Sequence, residues 1–478
     1  MRDRLIRLRP KVAASLLLAV PSTPVLAGLF ALLCLVILVS SLPFSVTFSL
    51  LHSERSLGDV AVDLNNQRTA SARAYFARSP KRTLEELRGV SRPEKASFKF
   101  TIAIVTVRRR KPAESGGSVG YVLQSAASVD AMVKAHEAFR DSFVFVCNVD
   151  RFPQHHEDAA VLKDYLPYAE RYGSSSVPGV SELPIPGTED LYRNTQHGNS
   201  FDKERHDYTF CLQVALSFRS QYFLILQDDA VLRPDFADVL LHNLAKLTKP
   251  QQCLSVVNGS RGSSFLLHSL LPSSSSSSSY ATCLSEHPPY MFDVLPRKRR
   301  FISPSPNSSF ACLKLYYPER WAGFAFEPSS LLDLASLAGV GGGLGLLLHA
   351  LLSLVRRVSF EPAWRAFLLG LVTVLLLCEA VGRQNVNELR RVSRHFYRLK
   401  AAPSCCLPAV LYPAPVVPFL VTWLAESAER TTVDLRVAEF FRHYDIPAYY
   451  IEPNVVRHVG MVTSLYKLYV KPMEEFVI

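Results

Sequence analysis

The sequence predicts an α/β fold that is interrupted by a pair of apolar helices and preceded by one further apolar segment. Short runs of β-branched and aromatic residues alternate with helical segments between residues 100 and 247, which is typical of strands layered with helices. Two long apolar segments follow at 331–355 and 363–381. Ordinary mixed composition returns after residue 382, so the apolar pair lies inside the α/β region.

The α/β region begins with strand-like runs that alternate with helical segments. Strands are expected at 100–107, 142–150 and 222–226, and helices at 121–136, 202–219 and 239–247. This alternation predicts a mainly parallel sheet covered by helices. Later strands are expected at 321–326 and 448–451.

Three apolar segments are each about long enough to cross ~30 Å of hydrocarbon at 1.5 Å per residue. The first, at 25–44, follows a basic flank, which predicts an uncleaved anchor with a cytoplasmic N-terminus; a cleaved signal peptide is the alternative. Arg356 and Arg357 lie between the other two segments, so that connection is also expected in the cytoplasm. The pair then forms a transmembrane hairpin, unless it is two buried helices of a globular core.

The expected organisation has six parts and a multi-pass topology with three membrane helices. In order, they are a cytoplasmic tail at 1–24, an anchor at 25–44, a stem at 45–99, the first part of a lumenal domain at 100–328, the hairpin at 329–382 and the second part of that domain at 383–478. A run of serines at 273–279 lies in a low-complexity insertion at 260–309, to which we assign no chemistry.

The charge distribution argues against a nucleic-acid-binding protein, and the cysteine spacing argues against a zinc-binding protein. The net charge is +11, but the basic residues are spread along the chain without a recognisable nucleic-acid motif, so no nucleic-acid partner is expected. The nine cysteines include no Cys-x-x-Cys pair and fit no zinc spacing. In an oxidising lumen some of them are expected to form disulfides.

The most informative stretch is the apolar strand at 222–226, which runs into Gln227, Asp228 and Asp229. Ligands of α/β proteins bind at the carboxyl ends of central strands, so two carboxylates there are well placed to hold a divalent cation. Their oxygens suit Mg²⁺ or Mn²⁺, with the oxygens of a diphosphate completing the shell. The arrangement resembles the acidic metal motif of nucleotide-sugar glycosyltransferases, and a strand-to-turn junction, where Asp is common, explains the motif equally well.

Two further residues are expected near a sugar nucleotide. Arg108 begins a basic loop directly after the first strand and is expected to meet the diphosphate or the base, although a solvated loop explains it equally well. Gly323 lies in an apolar strand, where the lack of a side chain allows a sugar to approach closely.

Four motifs together resemble a known family, the Golgi transferases that add N-acetylgalactosamine (GalNAc) to a mannose of a glycosylphosphatidylinositol (GPI) glycan after its attachment to protein. They are Gln227-Asp228-Asp229, Trp321-Ala322-Gly323-Phe324, Ala402-Pro403-Ser404-Cys405-Cys406 and the ending from Pro453 to Leu465, which contains His458-Val459-Gly460. The resemblance covers the chain apart from the serine-rich insertion, and Gln227 stands where a Glu is expected. It implies a GT-A-like glycosyltransferase domain interrupted by the transmembrane hairpin, in a Golgi membrane.

The resemblance also implies substrates and residue roles. UDP-GalNAc is the implied donor and GPI-anchored proteins are the implied acceptors. Mn²⁺, or Mg²⁺, is expected on Asp228 and Asp229, with His458 as a further ligand, although His458 also fits a purely structural position. Asp229 is thereby expected to take part in catalysis.

An inverting transfer also needs a carboxylate base on the opposite face of the sugar, and Asp434 is our candidate. It begins an amphipathic helix, and its position resembles that of an Asp in related branching transferases. The same Asp fits a helix cap. Glu426 and Glu439 are the fallback candidates. The inward face of the helix is expected to carry Leu435, Ala438 and Phe441.

Two other functions stay open at this stage. The ending from Glu452 to Leu465 also resembles the transferases that branch N-glycans with UDP-GlcNAc as donor. A membrane protein that binds glycans without catalysis is the other alternative, and Gln227 would then mark a weakened metal site. A lipid-linked acceptor favours the GPI interpretation, because a membrane hairpin restricts the orientation of the catalytic domain beside it.

Overall fold

The computed structural model describes residues 54–81, 97–109, 118–172, 199–248, 308–318, 328–356, 363–426 and 431–462. Three predictions therefore lie outside the described residues: the anchor at 25–44, the strand at 321–326 with Gly323, and nearly all of the insertion at 260–309.

Ten strands and ten helices form the described parts of the fold. The strands are β1 (Ser97–Thr106), β2 (Ser142–Asn148), β3 (Tyr168–Glu170), β4 (Arg219–Gln227), β5 (Ala230–Leu232), β6 (Cys312–Lys314), β7 (Arg398–Ala401), β8 (Ala409–Pro413), β9 (Ala448–Glu452) and β10 (Val456–His458). The helices are α1 (Glu54–Arg78), α2 (Tyr121–Ala135), α3 (Glu157–Leu162), α4 (Ser200–Leu216), α5 (Phe236–Thr248), α6 (Pro328–Arg356), α7 (Ala363–Val381), α8 (Arg383–Glu388), α9 (Val417–Ala425) and α10 (Val433–Tyr444).

Eight strands form one sheet in the order β3-β2-β1-β4-β8-β6-β9-β7. The half built from β3, β2, β1 and β4 is parallel, as the alternation of strands and helices predicted. The other half is mixed, because β8 runs antiparallel to both β4 and β6 while β6 and β9 are parallel. The prediction of a mainly parallel sheet is therefore correct only for the half built from β3, β2, β1 and β4.

Helices cover both faces of this sheet. Along β4, Leu224 and Leu226 pack into the core on one face, together with residues of α2 and α5. Phe223 and Ile225 point to the other face, where α4, α9 and α10 provide the second core. This two-residue period explains why the whole run is apolar: a strand covered on both faces buries every side chain.

The segment predicted as a stem contains α1, and this helix packs against α2. The Phe76 ring is 2% exposed and joins the core under the sheet. The side-chain amide of Asn65 donates to the carbonyl of Val119 at 2.9 Å. The helix is thus part of the packed domain.

The helical pair α6 and α7 differs from the rest because its apolar side chains face outwards. Leu354 is 76% exposed and Leu369 is 70% exposed. The two helices pack on each other through glycines: a Cβ at Gly345 would lie 2.1 Å from the carbonyl oxygen of Ala366. Of the described helices, one contains a span long and apolar enough to cross a membrane, Leu332–Leu351, and α7 contains a shorter apolar span, Ala363–Cys378.

A disulfide joins a strand of the parallel half of the sheet to one of the helices that cover it. Cys147 of β2 is bonded to Cys211 of α4, with a Cα–Cα distance of 6.0 Å. The expectation that some cysteines are paired is thereby confirmed.

Candidate functional site

A cavity of about 400 Å³ opens at the carboxyl ends of β1 and β4, a volume that is ordinary for a small-molecule site. Its ionisable lining comes from several elements that are distant in sequence. These residues include Arg109, Glu204, Asp228, Asp229, Asp434 and His458.

Strand pairing explains why the acid pair lies here. β4 ends at Gln227, and the following turn holds Asp228 and Asp229 before β5 begins. β5 pairs with β10 so that Ala230 lies opposite His458, and the N–H of Val459 donates to the carbonyl of Asp229 at 2.8 Å. The two Asp side chains are 3% and 2% exposed as residues, so they belong to the floor of the cavity.

Arg109 bridges the two carboxylates. Its Nη2 lies 2.7 Å from Oδ1 of Asp228, and its Nη1 lies 2.5 Å from Oδ2 of Asp229. Nη1 also donates to the carbonyl of Val462 at 2.9 Å, and the guanidinium lies over the Tyr121 ring at 5.4 Å. A buried guanidinium in this place supplies the positive charge that two adjacent buried carboxylates require.

The neighbours of the two carboxylates are otherwise different. Burial raises the pKa of Asp228 to about 6, and the Thr106 hydroxyl donates to its Oδ2 at 2.9 Å. Against the effect of burial, Arg109 and His458 hold the pKa of Asp229 below its usual range. Nε2 of His458 lies 3.2 Å from Oδ2 of Asp229. The pair therefore retains negative charge at neutral pH.

Gly460 leaves room for Asp229. A Cβ at this position would lie 2.2 Å from Oδ2 of Asp229, so no other residue fits while the carboxylate keeps its place. The His458 ring stacks on Tyr316 with ring centroids 5.3 Å apart, which fixes the imidazole beside the acid pair. The motif His458-Val459-Gly460 thus shapes one side of the site.

The side chains beside the cavity include suitable ligands for a divalent cation, but Arg109 already occupies part of the same site. Asp228, Asp229 and His458 offer carboxylate and imidazole ligands, and Oδ1 of Asp229 is buried with no hydrogen-bond partner among the described residues. Within that part of the chain, however, no group of three or more His, Cys, Asp and Glu side chains is arranged as a metal centre. Arg109 takes up one oxygen of each carboxylate, so a cation that binds both carboxylates must compete with the guanidinium.

A second acid pair, Glu204 of α4 and Asp434 of α10, lines the same cavity. Asp434 lies in the first turn of α10, but the N-cap is Thr432, and Oδ2 of Asp434 accepts from the N–H of Cys406 at 2.7 Å. Its carboxylate therefore does not cap its own helix. Burial raises the pKa of Asp434. Burial, together with the charges of Asp434 and Asp207, raises the pKa of Glu204 to about 7.

Several expected site residues lie elsewhere. Arg108 donates from its backbone N–H to Asp150 and from its side chain to the carbonyl of His155, and it does not line the cavity. Glu439 pairs with Arg436 at 2.5 Å, and neither Glu439 nor Glu426 lines the cavity.

The predicted inward face of α10 was wrong in one position. Leu435 is 42% exposed, whereas Ala438 and Phe441 are buried as expected. Val433, Val437 and Phe440 complete the buried stripe.

Sequence reasoning missed Arg109 and Glu204. The signal for Glu204 is its place on one polar face of α4, because Ser200, Lys203, Glu204 and Asp207 recur at helical spacing and all line the cavity. Arg109 is one of four consecutive basic residues, and nothing in that run distinguishes it from its neighbours.

Comparison with protein families identifies the fold that carries this cavity. The family model for GPI-N-acetylgalactosamine transferase PGAP4 matches residues 100–259 and 290–457, well over half of the chain. The chain belongs to this family. The resemblance seen in the sequence is thereby confirmed, and the large mixed sheet fits an α/β glycosyltransferase domain.

The PGAP4 match also marks which parts of the chain are shared with the family. It includes both acid pairs and the helical pair α6 and α7, and it omits residues 260–289, where the serine run lies. It ends one residue before His458, so the match itself gives no support to the role expected for that side chain.

Proposed function

We propose that this protein transfers GalNAc from UDP-GalNAc to a mannose of a GPI glycan, with inversion at the sugar. Membership of the PGAP4 family supports the reaction class. The observation that carries the proposal is the convergence of both acid pairs on one cavity at the carboxyl edge of a family-matched sheet. One pair contains Asp229, whose pKa is held below its usual range, whereas both members of the other pair have raised pKa values, which is the division of roles that such a transfer needs.

The donor is assigned to the Asp228–Asp229 pair. Mn²⁺, or Mg²⁺, would be held by these carboxylates, with His458 at the side, and would supply positive charge to the departing diphosphate. Because Arg109 is bonded to both carboxylates in this structure, it would have to release at least one of them. The released guanidinium would remain next to the cavity, where it suits a phosphate oxygen.

The acceptor is assigned to the side of Asp434. Inversion needs a base on the sugar face opposite the leaving group, and a carboxylate whose pKa is raised by burial is a better base than an ordinary Asp. Glu204 shares the cavity and has a pKa of about 7, so near neutral pH it is only partly ionised and adds less than a full negative charge beside Asp434.

The protein is placed in a Golgi membrane, with the α/β domain in the lumen. The outward-facing leucines of α6 and α7 support membrane insertion of that pair, and the Cys147–Cys211 disulfide supports an oxidising compartment. Beyond α8, Leu389 and Val392 are 68% and 81% exposed. They flank Arg390 and Arg391, a composition that suits the membrane interface. The anchor at 25–44 would be the third membrane helix.

The test is a donor comparison with the purified full-length protein. Transfer from UDP-GalNAc and from UDP-GlcNAc onto a mannosyl GPI glycan is followed with and without Mn²⁺. We expect a preference for UDP-GalNAc. A preference for UDP-GlcNAc would instead favour the branching type of transferase. Binding of the glycan without turnover of either donor would favour a non-catalytic glycan-binding protein.

A further inference from the structure

Two consecutive cysteines lie at the rim of the cavity, directly behind Asp434. Cys405 and Cys406 belong to the connection between β7 and β8, and Cys406 lines the cavity. Their Sγ atoms are 2.6 Å apart. This is about half an ångström longer than a covalent S–S bond of about 2.05 Å, and closer than two unbonded sulfur atoms normally approach.

The backbone around the two cysteines is held in a fixed shape. Lys314 of β6, which is buried, donates from Nζ to the carbonyls of Pro403 at 2.8 Å and Cys405 at 2.5 Å. Cys406 adopts a φ of 74°, in the left-handed region that non-glycine residues rarely occupy. A local constraint is needed to keep a side-chain-bearing residue in this conformation.

The surroundings permit oxidation. Cys147 and Cys211 are disulfide-bonded in the same domain although both are completely buried. Cys405 and Cys406 are only partly buried, so an oxidant reaches them more easily. Cys312, in contrast, is completely buried and forms no disulfide with any described residue.

We propose that Cys405 and Cys406 are joined by a vicinal disulfide that fixes the backbone N–H of Cys406 toward Asp434. The two thiols lose two protons and two electrons to a disulfide of a thiol–disulfide oxidoreductase, which leaves as a dithiol, and one S–S bond forms between neighbouring residues. Cys406 is then a positioning residue: its N–H, 2.7 Å from Oδ2 of Asp434, orients the carboxylate and stabilises its ionised form. This second part rests on the proposed function, whereas the bond itself does not.

The proposal also orders the two disulfides by ease of reduction. Adjacent Cα atoms are 3.80 Å apart, below the usual separation of about 4.4–6.8 Å for bonded cysteines. Strained or exposed disulfides are the more easily reduced ones. The bond at 405–406 is therefore expected to open at a lower reductant concentration than the buried Cys147–Cys211 bond.

The bond is tested by differential alkylation of the full-length protein. Free thiols are blocked with iodoacetamide under denaturing conditions, the protein is reduced, remaining thiols are labelled with a second reagent, and peptides are mapped by mass spectrometry. We expect the 405–406 peptide to carry two second labels, as Cys147 and Cys211 do, and Cys312 to carry the first. The first label on both Cys405 and Cys406 would overturn the proposal, and so would an unreduced digest in which either is found bonded to another cysteine.

The positioning role is tested with a Cys405→Ser/Cys406→Ser double variant, and Cys312→Ser is the matched control. We expect kcat to fall about 10-fold with little change in the KM for UDP-GalNAc, because the base is misplaced while the donor site is intact. The acid limb of the pH–kcat/KM profile should move to higher pH. A profile and kcat equal to those of the control would overturn the positioning role. If the parent protein transfers no sugar, the proposed function fails, and the alkylation map still decides the bond.

Discussion

The two acid pairs in the cavity contain similar side chains but have different neighbours. Asp228 and Asp229 share a buried guanidinium, and one of them also lies beside His458. Glu204 and Asp434 repel each other and are buried without a cation bonded to either, as far as the described residues show. The first pair is therefore built to stay charged, and the second is built to exchange protons.

Burial alone would have raised the pKa of all four carboxyl groups. It does so for Asp228, Glu204 and Asp434, whereas Arg109 and His458 reverse the effect at Asp229. The difference teaches that Arg109 and His458 together keep Asp229 ionised, so that the first pair can serve a cation or a diphosphate. Glu204 and Asp434, which lack such partners among the described residues, remain suited to acid–base work.

The largest expected effect is at Asp434. Asp434→Asn removes the base but keeps the shape of the side chain, so we expect transfer to slow by about 10²–10⁴-fold. Initial rates with saturating UDP-GalNAc and acceptor measure the change. Glu439→Gln, on the same helix and outside the cavity, is the control and should retain activity. Equal rates for both variants would show that Asp434 takes no part in catalysis and that the two acid pairs do not differ in role as proposed.

The next effect concerns Arg109. Arg109→Gln leaves two buried carboxylates without their cation, which should destabilise the metal-free protein by about 3–5 kcal/mol. Mn²⁺ should reverse much of this loss and bind more tightly than it does to the parent protein, since no guanidinium competes. Thermal unfolding with EDTA and with Mn²⁺, together with calorimetric Mn²⁺ titration, measures both effects.

Arg108→Gln is the control for this experiment, because Arg108 does not line the cavity. It should unfold and bind Mn²⁺ as the parent does. Weaker or unchanged Mn²⁺ binding in a folded Arg109→Gln variant would mean that the guanidinium and the cation do not compete for the carboxylates.

A smaller effect is expected from Glu204, and it depends on pH. Its pKa is about 7 in the folded protein and near 4.5 when unfolded, so the folded state prefers the protonated form. The resulting destabilisation is absent below about pH 4.5, grows as the pH rises and is complete above about pH 7, where it amounts to roughly 3 kcal/mol. Glu204→Gln should therefore stabilise the protein at pH 8 but not at pH 4.5.

Unfolding midpoints of the parent and of Glu204→Gln across this pH range provide the measurement for the Glu204 prediction. A stability difference that is constant with pH would show that Glu204 titrates normally. The second pair would then lack the coupling that distinguishes it from the first.

The smallest effect is expected at Gly460. In Gly460→Ala the new methyl group would meet Oδ2 of Asp229 and force it to shift, at a cost of about 1–3 kcal/mol. Mn²⁺ affinity should change, because only the first pair is disturbed, while the acid limb of the pH–rate profile should not. A shift of that limb would indicate that the two pairs are coupled through the cavity.

Local sequence patterns predicted the parts of the fold that local chemistry determines. The β-branched and aromatic runs gave β1, β2 and β4, and an apolar run ending in two carboxylates placed Asp228 and Asp229 at a strand end. The antiparallel direction of β8 was not predictable in this way, because it depends on how the chain returns to the sheet after α6 and α7.

The missed and misplaced site residues depend on tertiary packing. Arg109 meets the acid pair because β1 and β4 are parallel neighbours, with Val105 opposite Gln227, and the sequence does not specify that register. Leu435 was expected to be buried from helical spacing alone, yet α10 buries the stripe that begins at Val433.

The most direct test is the affinity of the full-length protein for UDP-GalNAc in two matched variants, measured by calorimetry with Mn²⁺ present. We expect Asp434→Asn to bind the donor as tightly as the parent although its transfer is slowed by about 10²–10⁴-fold, and Asp229→Asn to lose most of its donor affinity. Loss of donor binding in Asp434→Asn, with normal binding in Asp229→Asn, would contradict the assignment of the donor to one acid pair and the acceptor proton to the other.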